Sequence, residues 1–580
     1  MARYFDISET MEIRIKARDG AARLAEYRLR SGRKLILPTF FPVYNPNIPL
    51  ITPKELQEKF HWDNIITNAY ILWRHPKWSK SVKDIHAFLG FDGVVMMDSG
   101  AYQIWMYGDI EASNEEIIEF QNKIRPDIGT FLDIILPYNV DRRRAEVGVR
   151  ETIQAAKIAK DMGSEEISWL ATAQGSTYTD LVEENAREIV DLDFDYYAVG
   201  TLKVATNQWL FRPQVDYIMA ALAHFPRSKP VHFWGLGHPA TFALFVLMGI
   251  DSFDSASYAL YAKDGRYMTT YGTLKLEEME EFPCECPVCS SYTPRELRDM
   301  EPSKKQKLLA EHNLYVILAE IRRIREAIRG EYLFEYVQER VRSHPGLLEA
   351  YRYLLEKHGE YLKENTPFPK SRGFFWGGEE SALRPEVRRA KELLKNIPAK
   401  RYFRKKPFGK IPLGLKYTYP FGQSHIPFEE EPREEPKPEE VVRCVLKYQW
   451  RIDVEGDIQA EVRRGKVRKV YINQQYVGMI RPSDGFFIPS IHGARMIAEK
   501  DNTMKNKVVV SEEAVEPVSK GRSVFAKFVL MFDPDLHPNQ EVIVLSPSGE
   551  VIATGKAVLS AREIKEFSHH VAVKIRHHTL

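Results

Sequence analysis

The sequence predicts an α/β chain built on a closed (β/α)8, TIM-like barrel, followed by small α+β domains and a compact all-β domain at the C-terminus. Three observations carry this reading. Eight short β-rich runs fall within the first 260 residues, helix-like segments separate them, and the runs are continuously apolar rather than alternating. In order they are KLILPTFF (34–41), NIITNAY (64–70), GVVMMDSG (93–100), GTFLDIIL (129–136), ISWLATAQG (167–175), DYYAVG (195–200), VHFWGLG (231–237) and GIDSFDS (249–255). Segments such as NEEIIEFQNKI and ATFALFVLMG lie between them. Apolar strands joined by helices imply a parallel sheet covered on both faces, and eight repeats fit a closed barrel. A doubly wound open sheet is the structural alternative.

Beyond the barrel, Leu308, Leu314, Ile317, Leu318, Ile321, Ile324 and Ile328 keep helical spacing, which reads as an amphipathic helix packed on the barrel. A further helical region ends near NTPFPKSRG (365–373). The segment RYFRKKPFGKIPLGLKYTYPFG (401–422) is basic and aromatic, and the acidic, proline-bearing run EEEPREEPKPEE (429–440) reads as a linker. An alternating β pattern with Ser-Gly turns then starts near 505. The expected domains are therefore 1–360, 361–430, 431–505 and 506–580.

The composition is that of an ordinary globular protein: 44% hydrophobic, 28% charged, formal net charge +2 over 580 residues. It excludes a disordered or broadly basic chain, so any nucleic-acid binding must come from local patches. The N-terminal MARYFDISETMEIRIKARDGAARL lacks the apolar core of a signal peptide, and no run approaches a membrane span. A cytoplasmic protein with no membrane partner is expected.

Three of the four cysteines fall within PCECPVC (283–289). A reducing cytoplasm disfavours a disulfide framework. Cys284, Cys286 and Cys289 form C-x-C-x2-C, and His312 lies at the start of the amphipathic helix. Three thiolates and one imidazole make a closed tetrahedral shell suited to structural Zn²⁺. A redox cysteine pair and free loop thiols are the alternatives. Cys444, among aliphatics, reads as a small buried hydrophobe.

In such a barrel the reactive groups collect where strands end. Here the runs close on Asp98, Asp133, Gln174, Gly200, Gly235 and Gly237, and Asp254. One aspartate at a strand end is as readily a helix cap or turn former. Three, with a glutamine and glycine backbone, converge on one mouth. Two facing carboxylates can divide glycosidic chemistry into nucleophile and acid/base, while a third with an amide and backbone N–H groups matches the edge of guanine. Tyr102 could stack on the base. On these residues alone, sugar hydrolysis and base exchange stay equally open.

DSGAYQ, the Asp133 strand, AQG, AVG, GLGHP followed by GIDSFD, and the cysteine cluster occur in the order found in tRNA-guanine transglycosylases, which the chain resembles over roughly residues 10–345. Residues 507–580, with KGRSVFAKFV and NQEVIVLSPSGEVIATGKAVLS, resemble a PUA domain, an RNA-binding β-barrel. That pairing is similar to the archaeal, archaeosine-forming branch of the family. Two departures are Gly100-Ala101 where the family has paired glycines, and SASYALYAKDGR after Asp254 in place of the bacterial anticodon-reading stretch. The second favours the D-arm guanine at tRNA position 15.

The resemblance implies a pentosyltransferase that exchanges this guanine for 7-cyano-7-deazaguanine by double displacement. It implies Asp254 as nucleophile, Asp98 as general acid/base, and Asp133, Gln174, Ala198, Val199 and Gly200 as readers of the base edge, with Tyr102 over its face. A homodimer is also implied, with no redox or nucleotide cofactor. The RNA-gripping expectation falls on Lys520, Arg522, Lys527, Lys574 and Arg576 at the acceptor end and on 401–422 along the backbone. A non-catalytic tRNA-binding paralogue and a barrel glycoside hydrolase are the competing functions.

Overall fold

Each of the eight apolar runs contributes one strand of a single parallel sheet in the computed structural model, which describes residues 12–102, 111–395, 397–398 and 400–580. The strands are β1 (Thr39–Pro42), β2 (Asn64–Asn68), β3 (Val94–Asp98), β4 (Ile128–Thr130), β5 (Ser168–Ala173), β6 (Tyr196–Val199), β7 (Val231–Phe233) and β8 (Ser252–Ser255). Their order is β1-β8-β7-β6-β5-β4-β3-β2, and a parallel bridge between Val43 and Ile66 joins β1 to β2. The sheet is therefore a barrel, and the open doubly wound alternative is excluded. The strands are buried almost throughout, as a sheet wrapped by helices requires.

The first run does more than the pattern foretold. Lys34–Leu37 pairs antiparallel with Ala22–Arg28 in a separate three-stranded sheet, and only Thr39–Pro42 enters the barrel. Pro38, lacking an N–H, divides the two. Tyr27 and Leu35 of that sheet, with Leu29 between its strands, share a core with the inward-facing Phe41, Ile66, Met96, Ile128, Leu170 and Ala198, so the sheet floors the barrel.

Three aspartates bolt the floor in place. Asp127, Asp195 and Asp251 each immediately precede an even strand and accept a backbone N–H from the preceding odd one, Val95, Trp169 and Val231 at 2.8, 3.3 and 2.9 Å. Each also meets an arginine of the floor region. Arg33 donates to Asp127 at 3.2 Å, while Arg30 and Arg23 grip Asp195 and Asp251 with two nitrogens each. His86 Nε2 lies 3.2 Å from Asp127 as well.

After β8 the chain forms helix α1 (Ser257–Lys263), the hairpin β9 (Arg266–Met268) and β10 (Thr273–Lys275), and the long helix α2 (Pro302–Arg329). Leu309, Leu314, Ile317, Leu318, Ile321, Ile324 and Ile328 form the buried face of α2. Ala22–Tyr353 makes up most of one compact unit and Leu354–Leu580 most of a second.

Among the described residues the second unit holds three sheets. A three-stranded sheet comprises Tyr402–Lys405, Gly409–Pro412 and Phe428–Glu430, and a four-stranded antiparallel sheet spans Ile458–Pro489 beside the helices Pro438–Trp450 and Ile491–Lys500. The third has six strands in the order Val524–Phe525, Val571–His578, Val551–Ala557, Glu541–Leu545, Lys507–Val510 and Val529–Phe532. Among the described residues no helix is long and apolar enough to cross a membrane.

Candidate active site and metal cluster

The strand ends open into one cleft of about 570 Å³, lined by Asp98, Tyr102, Asp133, Gln174, Gly200 and Asp254 among others. Asp98 is the last residue of β3 and pairs in register with Asn68, the last of β2. That register brings Asn68 Nδ2 to 2.6 Å from Asp98 Oδ2, and the Gly100 N–H approaches Oδ1 at 3.4 Å. Burial, with the charges of Asp254 and Asp133, outweighs these donors and pushes the Asp98 carboxyl up to about 7. Asp254, third in β8, accepts the Gly235 N–H at 2.8 Å and meets His232 Nε2 at 3.1 Å, both through Oδ1.

The two carboxylates thus share a cavity but differ in character: one readily protonated near neutrality, the other braced by donors. This is the division that acid/base and nucleophilic roles require.

Asp133 Oδ2 accepts Gln174 Nε2 at 2.7 Å, and burial raises its carboxyl to about 6. Gln174 is itself anchored, its backbone N–H donating to Asn185 Oδ1 at 2.6 Å. The pair presents one acceptor and one amide on the same wall. Tyr102, 37% exposed, stands at the mouth with Lys203 Nζ 4.1 Å above its ring and bonded to its hydroxyl.

Two expectations drawn from the sequence need correction here. Ala198 is fully buried in the core shared with the floor, and Val199 is likewise buried, its carbonyl engaged by the Trp234 N–H at 3.0 Å in the β6–β7 ladder. Neither lines the cleft. Gly200 does, but Tyr217 Oη lies 3.2 Å from its N–H and Gln214 donates to its carbonyl at 3.0 Å. Its polar groups already have protein partners.

Residues that strand-end reasoning passed over complete the walls. Trp234, its indole N–H donating to Thr172 Oγ1 at 2.9 Å, and Tyr217 both line the cleft. Asn68 closes its strand just as Asp98 does, and Trp234 stands inside the WGLG turn, so both carried a signal. Lys203 and Tyr217, on helices, carried none.

Cys284, Cys286, Cys289 and His312 come together, their ligand atoms all within 4.8 Å of one another. His312 Nδ1 is 3.5 and 3.3 Å from Cys286 and Cys289 Sγ, edges of the length that a tetrahedron of three sulfurs and one nitrogen demands. Its Nε2 faces the Met268 carbonyl at 2.9 Å, which fixes Nδ1 as the ligand nitrogen. Tyr267 stacks on the imidazole at 3.6 Å and reaches Cys289 Sγ at 3.2 Å. The donor set fits a metal ion and leaves no protein-supplied gap for substrate.

In the second unit, Lys574 and Arg576 project from one face of Val571–His578, and Val524–Phe525, flanked by Arg522 and Lys527, pairs with that strand. Lys520 is paired with Glu516 at 2.5 Å. Arg576 is held by Glu541, which also binds Arg481.

The segment 401–422 is folded into the second unit. Phe403, Phe408, Tyr419 and Phe421 are core residues. The acidic run pairs with three of its cations: Arg401 with Glu434 and Glu440, Lys416 with Glu435, and Arg404 with Glu430.

Comparison with known proteins adds the following. A family model described as queuine tRNA-ribosyltransferase matches residues 19–346. One described as the patch-forming domain C2 of tRNA-guanine transglycosylase matches 440–503, and the PUA domain model matches 506–579. The tRNA-guanine(15) transglycosylase of Korarchaeum cryptofilum is 47% identical, over 97% of each chain. Its counterpart from Pyrococcus abyssi is 41% identical over 98% of each, and that from Methanocaldococcus jannaschii 38% over 98% of this chain and 99% of its own.

Proposed function

The chain belongs to the queuine tRNA-ribosyltransferase family as a tRNA-guanine transglycosylase, a pentosyltransferase, and from that membership we propose that it exchanges the guanine at position 15 of the tRNA D-arm for 7-cyano-7-deazaguanine, a step toward archaeosine. The relatives that carry the position in their names align over nearly the full length of both chains. The carrying observation is the pair of unlike carboxylates in one cleft.

Asp254 attacks C1′ of the ribose, the C1′–N9 bond breaks, and guanine departs with the proton that Asp98 holds. A ribosyl ester on Asp254 remains. The incoming base gives its N9 proton to the Asp98 carboxylate, N9 attacks C1′, and the ester bond breaks to restore Asp254. Asp133 and Gln174 read the Watson–Crick edge, and Tyr102 and Trp234 flank the ring. Each exchange replaces one glycosidic bond with another and so needs no external energy source.

The test is release of labelled guanine from tRNA on addition of the deazaguanine base. Asp254→Ala should abolish release while tRNA binding persists; release at the wild-type rate would end this assignment, and turnover of an oligosaccharide instead would favour a glycoside hydrolase.

Zn²⁺ is the proposed metal. Held by Cys284, Cys286, Cys289 and His312, it would tie the loop after β10 to α2 without entering the reaction, and metal analysis should find one zinc per chain. We also propose a cytoplasmic homodimer. Tyr271 and Leu274, 64% and 44% exposed on the β9–β10 hairpin, supply apolar surface next to the cluster. Light scattering should give twice the chain mass, and a monomer at micromolar concentration would count against the dimer.

A further inference from the structure

A buried chain of side chains runs up to Asp254 from inside the barrel. Tyr196 Oη lies 2.7 Å from Ser252 Oγ, Ser252 Oγ 2.8 Å from His232 Nδ1, and His232 Nε2 3.1 Å from Asp254 Oδ1. Tyr196, Ser252 and His232 are fully buried. Ser252 and Asp254 are two residues apart on β8, so strand alternation points both inward.

The direction of the protons follows from the ends. Burial holds the Tyr196 phenol well above its ordinary range, so its proton stays on, and among the described residues its hydroxyl has Ser252 Oγ as hydrogen-bond partner. Tyr196 therefore donates to Ser252, and the serine proton goes on to His232 Nδ1. An imidazole that accepts at Nδ1 carries its proton on Nε2 and donates to Asp254. Oδ1 then receives two donors, Nε2–H and the Gly235 N–H at 2.8 Å.

We propose that Tyr196, Ser252 and His232 are positioning residues that lock His232 as the neutral Nε2–H tautomer, so that Asp254 Oδ1 is fixed and Oδ2 is the attacking oxygen. Two rigid donors on Oδ1 set the rotamer of the nucleophile. They also stabilise the carboxylate as it is expelled from C1′ in the second displacement, when negative charge returns to it. A neutral imidazole supplies this without competing for the proton exchanged with Asp98.

The inference rests on the reading of Asp254 as nucleophile, and the experiment separates the two. Single-turnover guanine release, the KM for tRNA and the thermal midpoint are measured for His232→Leu, His232→Gln, Tyr196→Phe and Asp254→Asn. Leucine fills the space without a donor, whereas glutamine can place an amide N–H where Nε2–H stood.

Loss of one preorganised donor slows the chemical step by about 10²-fold. His232→Leu should show that loss with an unchanged KM, and His232→Gln should recover at least about tenfold of it on the same scale. Tyr196→Phe, which removes one oxygen and keeps the packing, should slow release without altering KM. Release by His232→Leu at the wild-type rate, or by His232→Gln no faster than by a folded His232→Leu, overturns the proposal. So does wild-type release by Tyr196→Phe. Wild-type release by Asp254→Asn overturns the nucleophile reading itself.

Discussion

Asp98 illustrates how a single residue's surroundings set its task. With its carboxyl pushed up to about 7, it would in the proposed exchange hold a proton for the departing base just below neutrality and give it up just above. Single-turnover guanine release should therefore fall as pH rises through about 7. Asn68 favours the ionised form, so Asn68→Ala should move that fall to higher pH, and a profile that stays put would remove Asn68 from the account. Stability carries the same sign: the folded state binds this proton more tightly than the unfolded chain. Its contribution is complete below the unfolded value of 3.8 and is lost as pH passes about 7. Asp98, Asp133, Gln174 and Asp254 were legible in the sequence because strand ends mark the barrel mouth. His232 was not, because it lies mid-strand, and Asn68 meets Asp98 only through a register that no local pattern reveals. Ala198 and Val199 looked like pocket residues because a motif marks the neighbourhood of a strand end without fixing the direction of each side chain.

At the level of elements, the eight strands could be read because continuous apolar runs between helices have few other homes. The floor could not, since Asp127, Asp195 and Asp251 resemble ordinary turn residues until Arg33, Arg30 and Arg23 are brought to them. These three contacts should differ in worth. Arg23 and Asp251 are almost fully buried, so Arg23→Ala strands a carboxylate away from water and should cost about 3–5 kcal/mol. Arg33 is 35% exposed and its loss should cost at most about 1 kcal/mol. Thermal midpoints of the two variants provide the measurement, and equal shifts would refute the ranking. Arg23→Lys should recover only part of the loss, because an ammonium cannot reproduce the forked contact with both Asp251 oxygens.

Across the whole molecule, net charge is a poor guide to where RNA is met. The basic-aromatic segment looked suited to a phosphate backbone, and the acidic run looked like a tether, because composition reports affinity for water and not which opposite charge folds back. Arg401, Arg404 and Lys416 of that segment pair with the acidic run, just as Lys520 and Arg576 of the C-terminal domain pair with Glu516 and Glu541. Lys574→Ala should weaken tRNA binding and flatten the dependence of log K on log salt by about 0.7–0.9. Filter binding across a salt series measures this, and an unchanged slope would take this side chain out of the interface. Arg576→Ala should instead lower stability, since it releases the buried Glu541 from one of its two partners.

The sheet beneath the barrel also dictates traffic. With the lower end sealed by Tyr27, Leu29 and Leu35, the proposed exchange would bring the outgoing purine and its replacement through the mouth of the same cleft. In a double displacement at that one site, the first base must leave before the second attacks. That order, with a covalent intermediate between its halves, should give parallel lines in initial-rate plots, and a closed floor is consistent with it.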